Sequence, residues 1–267
     1  MINMSEFKLP TAPTINVDQS PRNLVIISKV KTGKTSLLAG LPNCLILDFE
    51  EGSTFVKAMR VHIENVGDIA QVAAAIDEAG HPYDFVAVDT TSALEDVCTV
   101  YAETLYSRSP MGKNWFVPET GGKAKYGGIL GLPEGSGYFW LRQAFEKILN
   151  MIKTMAPKVI LMGHIKDIFL DKDDTKISAT EIDLTGKLKR IVSSQSDSIG
   201  YLYRKGNKNI LSFKTSDDVV CGARPEHLSN QEIVVSEKIG EKVYTYWDKI
   251  FLDLEPQERA PEVKKEK

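Results

Sequence analysis

The sequence predicts an α/β protein built on a mostly parallel central sheet, with antiparallel strands added towards the C-terminus. Three observations carry this reading. Short apolar runs at residues 24–27, Cys44–Asp48, Phe85–Asp89 and 158–163 alternate with segments whose apolar residues recur at helical spacing. Such alternation marks strand–helix units around a parallel sheet. The first run ends in a Gly-Lys-Thr turn that leads into a helical pattern. From Lys187 onward the pattern turns to β, with residues 198–204 and 209–214 flanking a Gly206-Asn207 turn as a hairpin would.

Residues 1–21 are polar, contain Pro10, Pro13 and Pro21, and show no periodicity. They read as an extended arm, so the core is expected to occupy 23–253 after an arm of 1–22. Residues 24–38 (LVIISKVKTGKTSLL) then give strand, turn and helix in the order that a phosphate-binding P-loop needs. The candidate phosphate-binding residues are Ser28, Lys31, Thr32, Gly33, Lys34, Thr35 and Ser36. Gly33 lets the backbone pass close to a phosphate, with successive N–H groups turned inward. Lys34 reaches the β- and γ-phosphates, and the Thr35 hydroxyl ligates Mg²⁺. The helix start adds the positive end of its dipole. The pattern usually opens with Gly; here Ser28 stands in its place, a small residue that fits the turn. A chance Gly-Lys-Thr at an ordinary helix start does not account for the flanking strand and helix.

Leu41-Pro42 breaks the chain before the second strand, Cys44–Asp48, which turns outward at 49–52. Residues 67–79 space Ile69, Val72, Ala73 and Ile76 as a helix, with Gly80 as its stop. The third strand, Phe85–Asp89, delivers Asp89 beside the P-loop in the Walker B manner, where it holds a Mg²⁺-bound water. A strand-end Asp is often only a cap; a P-loop some fifty residues earlier changes its meaning.

Residues 92–107 read as a helix with Leu94, Val97, Cys98, Tyr101 and Leu105 on one face. Residues 108–137 hold eight glycines among Lys113, Lys123, Lys125, Trp115, Phe116 and Tyr126. Cations that track phosphates and rings that stack on bases suit single-stranded nucleic acid. The competing reading is a solvated insertion whose aromatics pack locally. A long helix over 138–155 ends before Pro157, and the strand 158–163 brings His164 to its tip. Residues 166–186 are polar and of mixed charge. Lys187, Lys189 and Arg190 form a basic cluster suited to phosphates, or a solvated face. Glu232–Ser236 and Val243–Ile250 read as edge structure, and the charged end, 254–267, as a disordered tail.

The 267 residues, 42% hydrophobic, are enough for a substantial core without disulfides or metals. Cys44, Cys98 and Cys221 lie far apart and fit buried thiols in a reducing compartment. With no membrane-length apolar run and no signal-like N-terminus, a cytoplasmic protein is expected, a host cytoplasm if phage-encoded. A formal charge of −3 confines any DNA site to a local patch.

The water-activating carboxylate decides the P-loop class. In ring-forming AAA+ proteins it usually follows the Walker B Asp directly; here Thr90 follows Asp89. Glu50, two residues past Asp48, is available instead, and spacing favours it over Glu51. In LILDFEE, VAVDTTSAL, the insertion before a long helix and the strand ending near His164, the chain resembles a RecA-type recombinase core. VILMGH, GARPEHL and the lack of separate flanking domains resemble the short phage-encoded RecA-like proteins of single-strand annealing and recombination. The likeness covers residues 23–251. It implies a RecA-like P-loop ATPase with ATP and Mg²⁺ as ligands, Glu50 orienting the attacking water, and His164 as the γ-phosphate sensor. It also implies DNA loops at 108–137 and 167–186, and a cation entering the ATP site from a neighbouring subunit, for which Arg224 is the candidate. Single-stranded DNA, further copies of the chain in a ring or filament, and a single-stranded DNA-binding protein are the implied partners. A nucleotide-regulated annealing protein with little turnover, or a P-loop small-molecule kinase, are the alternatives.

Overall fold

The computed structural model describes residues 11–12, 19–50, 56–113, 128–169, 177–215 and 219–261. The chain runs β1 (Asn23–Ser28), α1 (Lys34–Ala39), β2 (Cys44–Asp48), β3 (Met59–His62), α2 (Val66–Glu78), β4 (Phe85–Asp89) and α3 (Thr91–Ser107). It continues with α4 (Ser136–Thr154), β5 (Lys158–Phe169), β6 (Ile177–Ile182), α5 (Leu188–Ser194), β7 (Ser198–Lys205) and β8 (Lys208–Ser212). The short β9 (Gly222–Ala223), β10 (Glu232–Ile239) and β11 (Lys242–Thr245) complete the order.

Among the described residues the sheet runs β11-β10-β8-β7-β1-β5-β4-β2-β3. The six strands from β3 to β7 pair in parallel, and β7 to β11 pair antiparallel. The expected fold class is therefore the observed one. One strand, β5, separates the P-loop strand β1 from the Asp89 strand β4.

The four central strands are apolar on both sides because both faces of the sheet are covered. Val25, Ile27, Leu45, Leu47, Val86 and Val88 pack against α2, α3 and α4. Their alternates Leu24, Ile26, Cys44, Ile46, Phe85 and Ala87 pack against Leu37 and Leu38 of α1 and against Trp247, Ile250 and Phe251. Trp247 Nε1 donates to the Leu37 carbonyl at 2.8 Å, tying the C-terminal segment to the P-loop helix. Burial pushes the Cys44 thiol up to about 12 and raises that of Cys98.

Several boundaries differ from the sequence reading. β3 was not anticipated. β5 does not stop at Gly163 but runs on through His164, and β6 returns antiparallel beside it, so the polar 166–186 stretch contains a hairpin. The β region expected from Lys187 begins with a short helix, α5. The charged end is held to the core as far as Ala260: Gln257 Nε2 donates to the Gly40 carbonyl, Lys242 pairs with Glu258, and the Ala260 N–H bonds the Tyr246 hydroxyl. The last residues, 262–267, lie outside the described set.

Candidate nucleotide site

Parallel register brings the decisive residues to one edge. Ser28 pairs with His164, and Asp48 with Asp89, so the ends of β1, β5, β4 and β2 meet at the carboxyl edge of the sheet. In open α/β sheets ligands bind outside that edge.

The loop from Lys29 to Gly33 folds back over β1. Lys31 and Gly33 adopt positive φ (60° and 97°), and the Thr32 hydroxyl closes the turn by donating to the Lys29 carbonyl at 2.7 Å. Gly33 is favoured by its left-handed φ, and a Cβ there would stand 3.3 Å from Nη2 of Arg204, a tight approach that the Arg side chain would have to yield to. Arg204 Nη2 donates to the Thr32 carbonyl at 3.2 Å and so braces the loop from outside. α1 is only six residues long.

Ser28, at the position where the usual pattern has Gly, has a specific role. Its buried hydroxyl donates to the Lys29 carbonyl at 3.0 Å and accepts from Lys34 Nζ at 3.3 Å. The ammonium also lies 3.4 Å from the Lys29 carbonyl and 3.2 Å from His164 Nδ1. Burial lowers the Lys34 pKa, while the Asp89 and Glu50 charges raise it in part. Its hydrogen-bonding partners are neutral, and the nearby opposite charge comes from Asp89 and Glu50.

Thr35 Oγ1 donates to Asp89 Oδ2 at 2.7 Å. A hydroxyl and a carboxylate oxygen side by side are hard donors that fit Mg²⁺, which takes one or two protein oxygens and completes its shell with phosphate and water. Burial raises the Asp89 pKa; the Thr35 hydrogen bond and Lys34 oppose it, and Glu50 and Asp48 add to it.

Glu50 faces this pair from the turn that follows β2. Its N–H donates to Asp48 Oδ1 at 3.2 Å, and Arg60 holds the other Asp48 oxygen at 3.7 Å. Its Oε1 accepts a hydrogen bond from Thr90 and lies 3.7 Å from His164 Nε2. His164 thus stands between the Lys34 ammonium and the Glu50 carboxylate. Glu51 lies outside the described residues.

The geometry brings together Ser28, Gly33, Lys34, Thr35, Asp89, Glu50 and His164. Asp48, Thr90 and Arg204 were missed by the sequence reading. Thr90 sat in the quoted VAVDTTSAL, but nothing in that string pairs it with a residue 40 positions earlier.

A family model described as AAA domain matches residues 20–224, three quarters of the chain. The chain belongs to the AAA domain family. It is thereby an AAA-type, nucleotide-binding ATPase domain, in which Thr90 still follows Asp89 and the facing carboxylate comes from the turn after β2. Solved structures of low identity are similar in part. RadB recombinase aligns at 10% identity over 84% of this chain and 90% of that one, with a TM-score of 0.41. A KaiC-like protein from the archaeon Pyrococcus horikoshii aligns at 9% identity over 85% and 89%, with a TM-score of 0.43. No curated protein matches the chain.

The remaining candidates of this AAA domain fall elsewhere. Arg224 stands at the opposite end of the sheet, where Ala223 pairs with Ser198 at the start of β7, and its Nη1 lies 3.2 Å from Asp197 Oδ1. It cannot reach the P-loop of its own chain. Lys113 is exposed after α3, whereas Trp115, Phe116, Lys123, Lys125 and Tyr126 lie outside the described residues. Lys187 and Arg190 are exposed, but Lys189 is engaged by Glu181 of β6, so the basic cluster is smaller than expected. The exposed rings of Tyr138 and Phe139 open α4, and a Cβ on Gly186 would lie 3.8 Å from Tyr138, so the start of α4 and the turn at Gly186 lie close together. No described helix is long and apolar enough to cross a membrane.

Proposed function

We propose that the chain is a DNA-dependent ATPase of the RecA-like annealing and recombination type, which assembles on single-stranded DNA. Residues 23–253 form the ATPase core, flanked by an arm (1–22) and a charged end (254–267). Lys34 and the P-loop residues Ser28, Lys31, Thr32, Gly33 and Ser36 carry the triphosphate. Thr35 and Asp89 hold Mg²⁺, which compensates phosphate charge when bound. Glu50 orients the attacking water and accepts its proton. His164 moves with the γ-phosphate end.

The observation that carries this reading is the continuity of β5 through His164. That side chain sits between Lys34 and Glu50, and the same strand goes on into the β5–β6 hairpin over the second inferred DNA loop. A change at the phosphate end therefore has a direct mechanical path to the hairpin. Lys187, Arg190, Tyr138 and Phe139 lie along that route, with Trp115, Phe116 and Tyr126 as further stacking residues. Self-assembly into a ring or filament supplies Arg224 to a neighbour's site, and a single-stranded DNA-binding protein is a further partner.

One observation favours an annealing protein with little turnover: Glu50 is already engaged by Thr90, which holds the base. Measuring ATP hydrolysis with and without single-stranded DNA separates the two. Stimulation by DNA is expected; a DNA-independent rate overturns the coupling.

A further inference from the structure

α3 runs from the nucleotide site to both segments inferred to contact DNA. Its N-cap residue is Thr90, whose hydroxyl donates to Glu50 and lies 3.1 Å from Ser92 Oγ in the first turn. Beside it, the buried Thr91 hydroxyl has no hydrogen-bond partner among the described residues, although a Cβ on Gly163 of β5 would stand 3.2 Å away. That side chain therefore touches β5 without bonding it. Thr90 carries the polar connection between α3 and Glu50.

Further along, α3 holds two backbone N–H groups with carboxylates. Glu95, 8% exposed, takes the Thr185 N–H on both oxygens, at 3.0 and 3.3 Å. Thr185 sits in the turn between β6 and α5, and its carbonyl accepts the Leu188 N–H at 3.1 Å. About two turns later, Glu103 Oε1 accepts the Ile129 N–H at 3.1 Å. Gly128, at φ 89°, brings the chain close: a Cβ on it would stand 3.2 Å from the same oxygen. Thr185 belongs to the second inferred DNA segment and Ile129 to the first.

These contacts suit the transmission of a movement. A buried carboxylate left without its donor is costly, so Glu95 and Thr185 move together. Because two oxygens share one N–H, the donor can swing between them without losing the bond. The helix that links Thr90 to both carboxylates has 17 residues and is about 25 Å long. We infer that α3 couples DNA to hydrolysis, with Glu95 as the positioning residue. A shift of the turn at Thr185 moves α3, and with it the hydroxyl that holds Glu50. The inference rests on the DNA-dependent reading above and adds a second route to the one through His164. This route ends on the water-activating carboxylate.

ATP hydrolysis with and without single-stranded DNA, measured beside DNA affinity, tests this. Glu95→Ala should keep the parental basal rate and DNA affinity, while its DNA-stimulated rate falls to the basal one. Glu95→Gln, whose amide oxygen still accepts the Thr185 N–H, should recover the stimulation. Full stimulation in Glu95→Ala overturns the inference and leaves the DNA-dependent ATPase standing. Should Glu95→Ala not fold, Thr90→Val cuts the same route at its other end. It should lose the response to DNA with DNA affinity kept, and Thr90→Ser should retain both; a full response in Thr90→Val overturns the inference. A wild-type rate indifferent to DNA fails the DNA-dependent reading instead, and hydrogen exchange then decides. A slowly hydrolysed ATP analogue with Mg²⁺ should alter exchange in peptides covering 183–188, and Thr90→Val should abolish that change. No change in the wild type, or one that survives Thr90→Val, overturns the role of α3.

Discussion

The Lys34 ammonium stands 3.2 Å from Nδ1 of His164, although 130 residues separate them in the chain. The contact follows from register: His164 is the neighbour of Ser28 across β1 and β5, and Lys34 folds back onto Ser28. The first prediction concerns this cation. Lys34→Ala should lose productive ATP binding and keep its fold, because the β- and γ-charges lose their main compensation. Since burial already disfavours the charged Lys34, thermal unfolding should show no loss of stability. Parental hydrolysis in the variant would remove the P-loop assignment.

Glu50→Gln should bind ATP·Mg²⁺ but hydrolyse it about 10²–10⁴-fold more slowly, since the carboxamide keeps the shape and cannot accept a proton. The Thr90 hydrogen bond is retained by the amide oxygen, so affinity should hold. Single-turnover rates check this. A large loss in Glu51→Gln with a small one in Glu50→Gln would move the base by one residue.

Asp89 is set against the stability of its own fold. Burial raises its pKa, as do Glu50 and Asp48, against the Thr35 hydrogen bond and Lys34, so the folded state disfavours the carboxylate relative to the unfolded chain. The folded chain binds the extra proton, hence this contribution makes stability fall as pH rises through the raised range. Asp89→Asn removes the charge and keeps an acceptor for Thr35. It should unfold at higher temperature, by about 2–4 °C for each kcal/mol recovered, with a flatter stability–pH curve, yet lose Mg²⁺-dependent hydrolysis. A lower Tm would show that the carboxylate is structural.

DNA binding should favour single strands and weaken with salt, with a slope of about −0.7 per phosphate neutralised. Removing Trp115, Phe116 or Tyr126 should cost about 1–3 kcal/mol for each ring that stacks on a base. Fluorescence anisotropy across a salt series reads both. Unchanged affinity after replacing all three would make the Gly-rich insertion a spacer.

What the sequence disclosed, and what it hid, divides along physical lines. The central strands are legible because burial on both faces leaves no polar alternation: Leu24–Ile27 and Phe85–Val88 are apolar throughout. The P-loop is legible because its chemistry is local. β3 (MRVH) is a largely exposed edge strand with no pattern to read. The β5–β6 pairing begins at Ile165, past the parallel ladder that ends at His164. Arg204 braces Thr32 across 172 residues, and Thr90 reaches Glu50 across 40. Contacts of that kind are products of the fold.

The last prediction concerns assembly. Arg224 lies at the opposite end of the sheet from Lys34, so any part it plays in hydrolysis is played on another subunit's nucleotide. Arg224→Ala should fold, because Asp197 keeps its hydrogen bonds from the Arg22 and Asn23 N–H groups at 3.0 Å each. It should bind ATP as the parent does and lose DNA-stimulated hydrolysis, since a guanidinium arriving at the γ-phosphate offsets charge developing in the transition state. Such fingers are worth about 10³–10⁵ in turnover. Arg224 and Lys34 would then act from different subunits, so mixing Arg224→Ala with Lys34→Ala protein is the direct measurement. Each interface that joins the intact P-loop of the first to the intact Arg224 of the second should recover activity, while two defects acting within one chain cannot complement. Absence of recovery in verified mixed assemblies would leave Arg224 as the partner of Asp197 and nothing more.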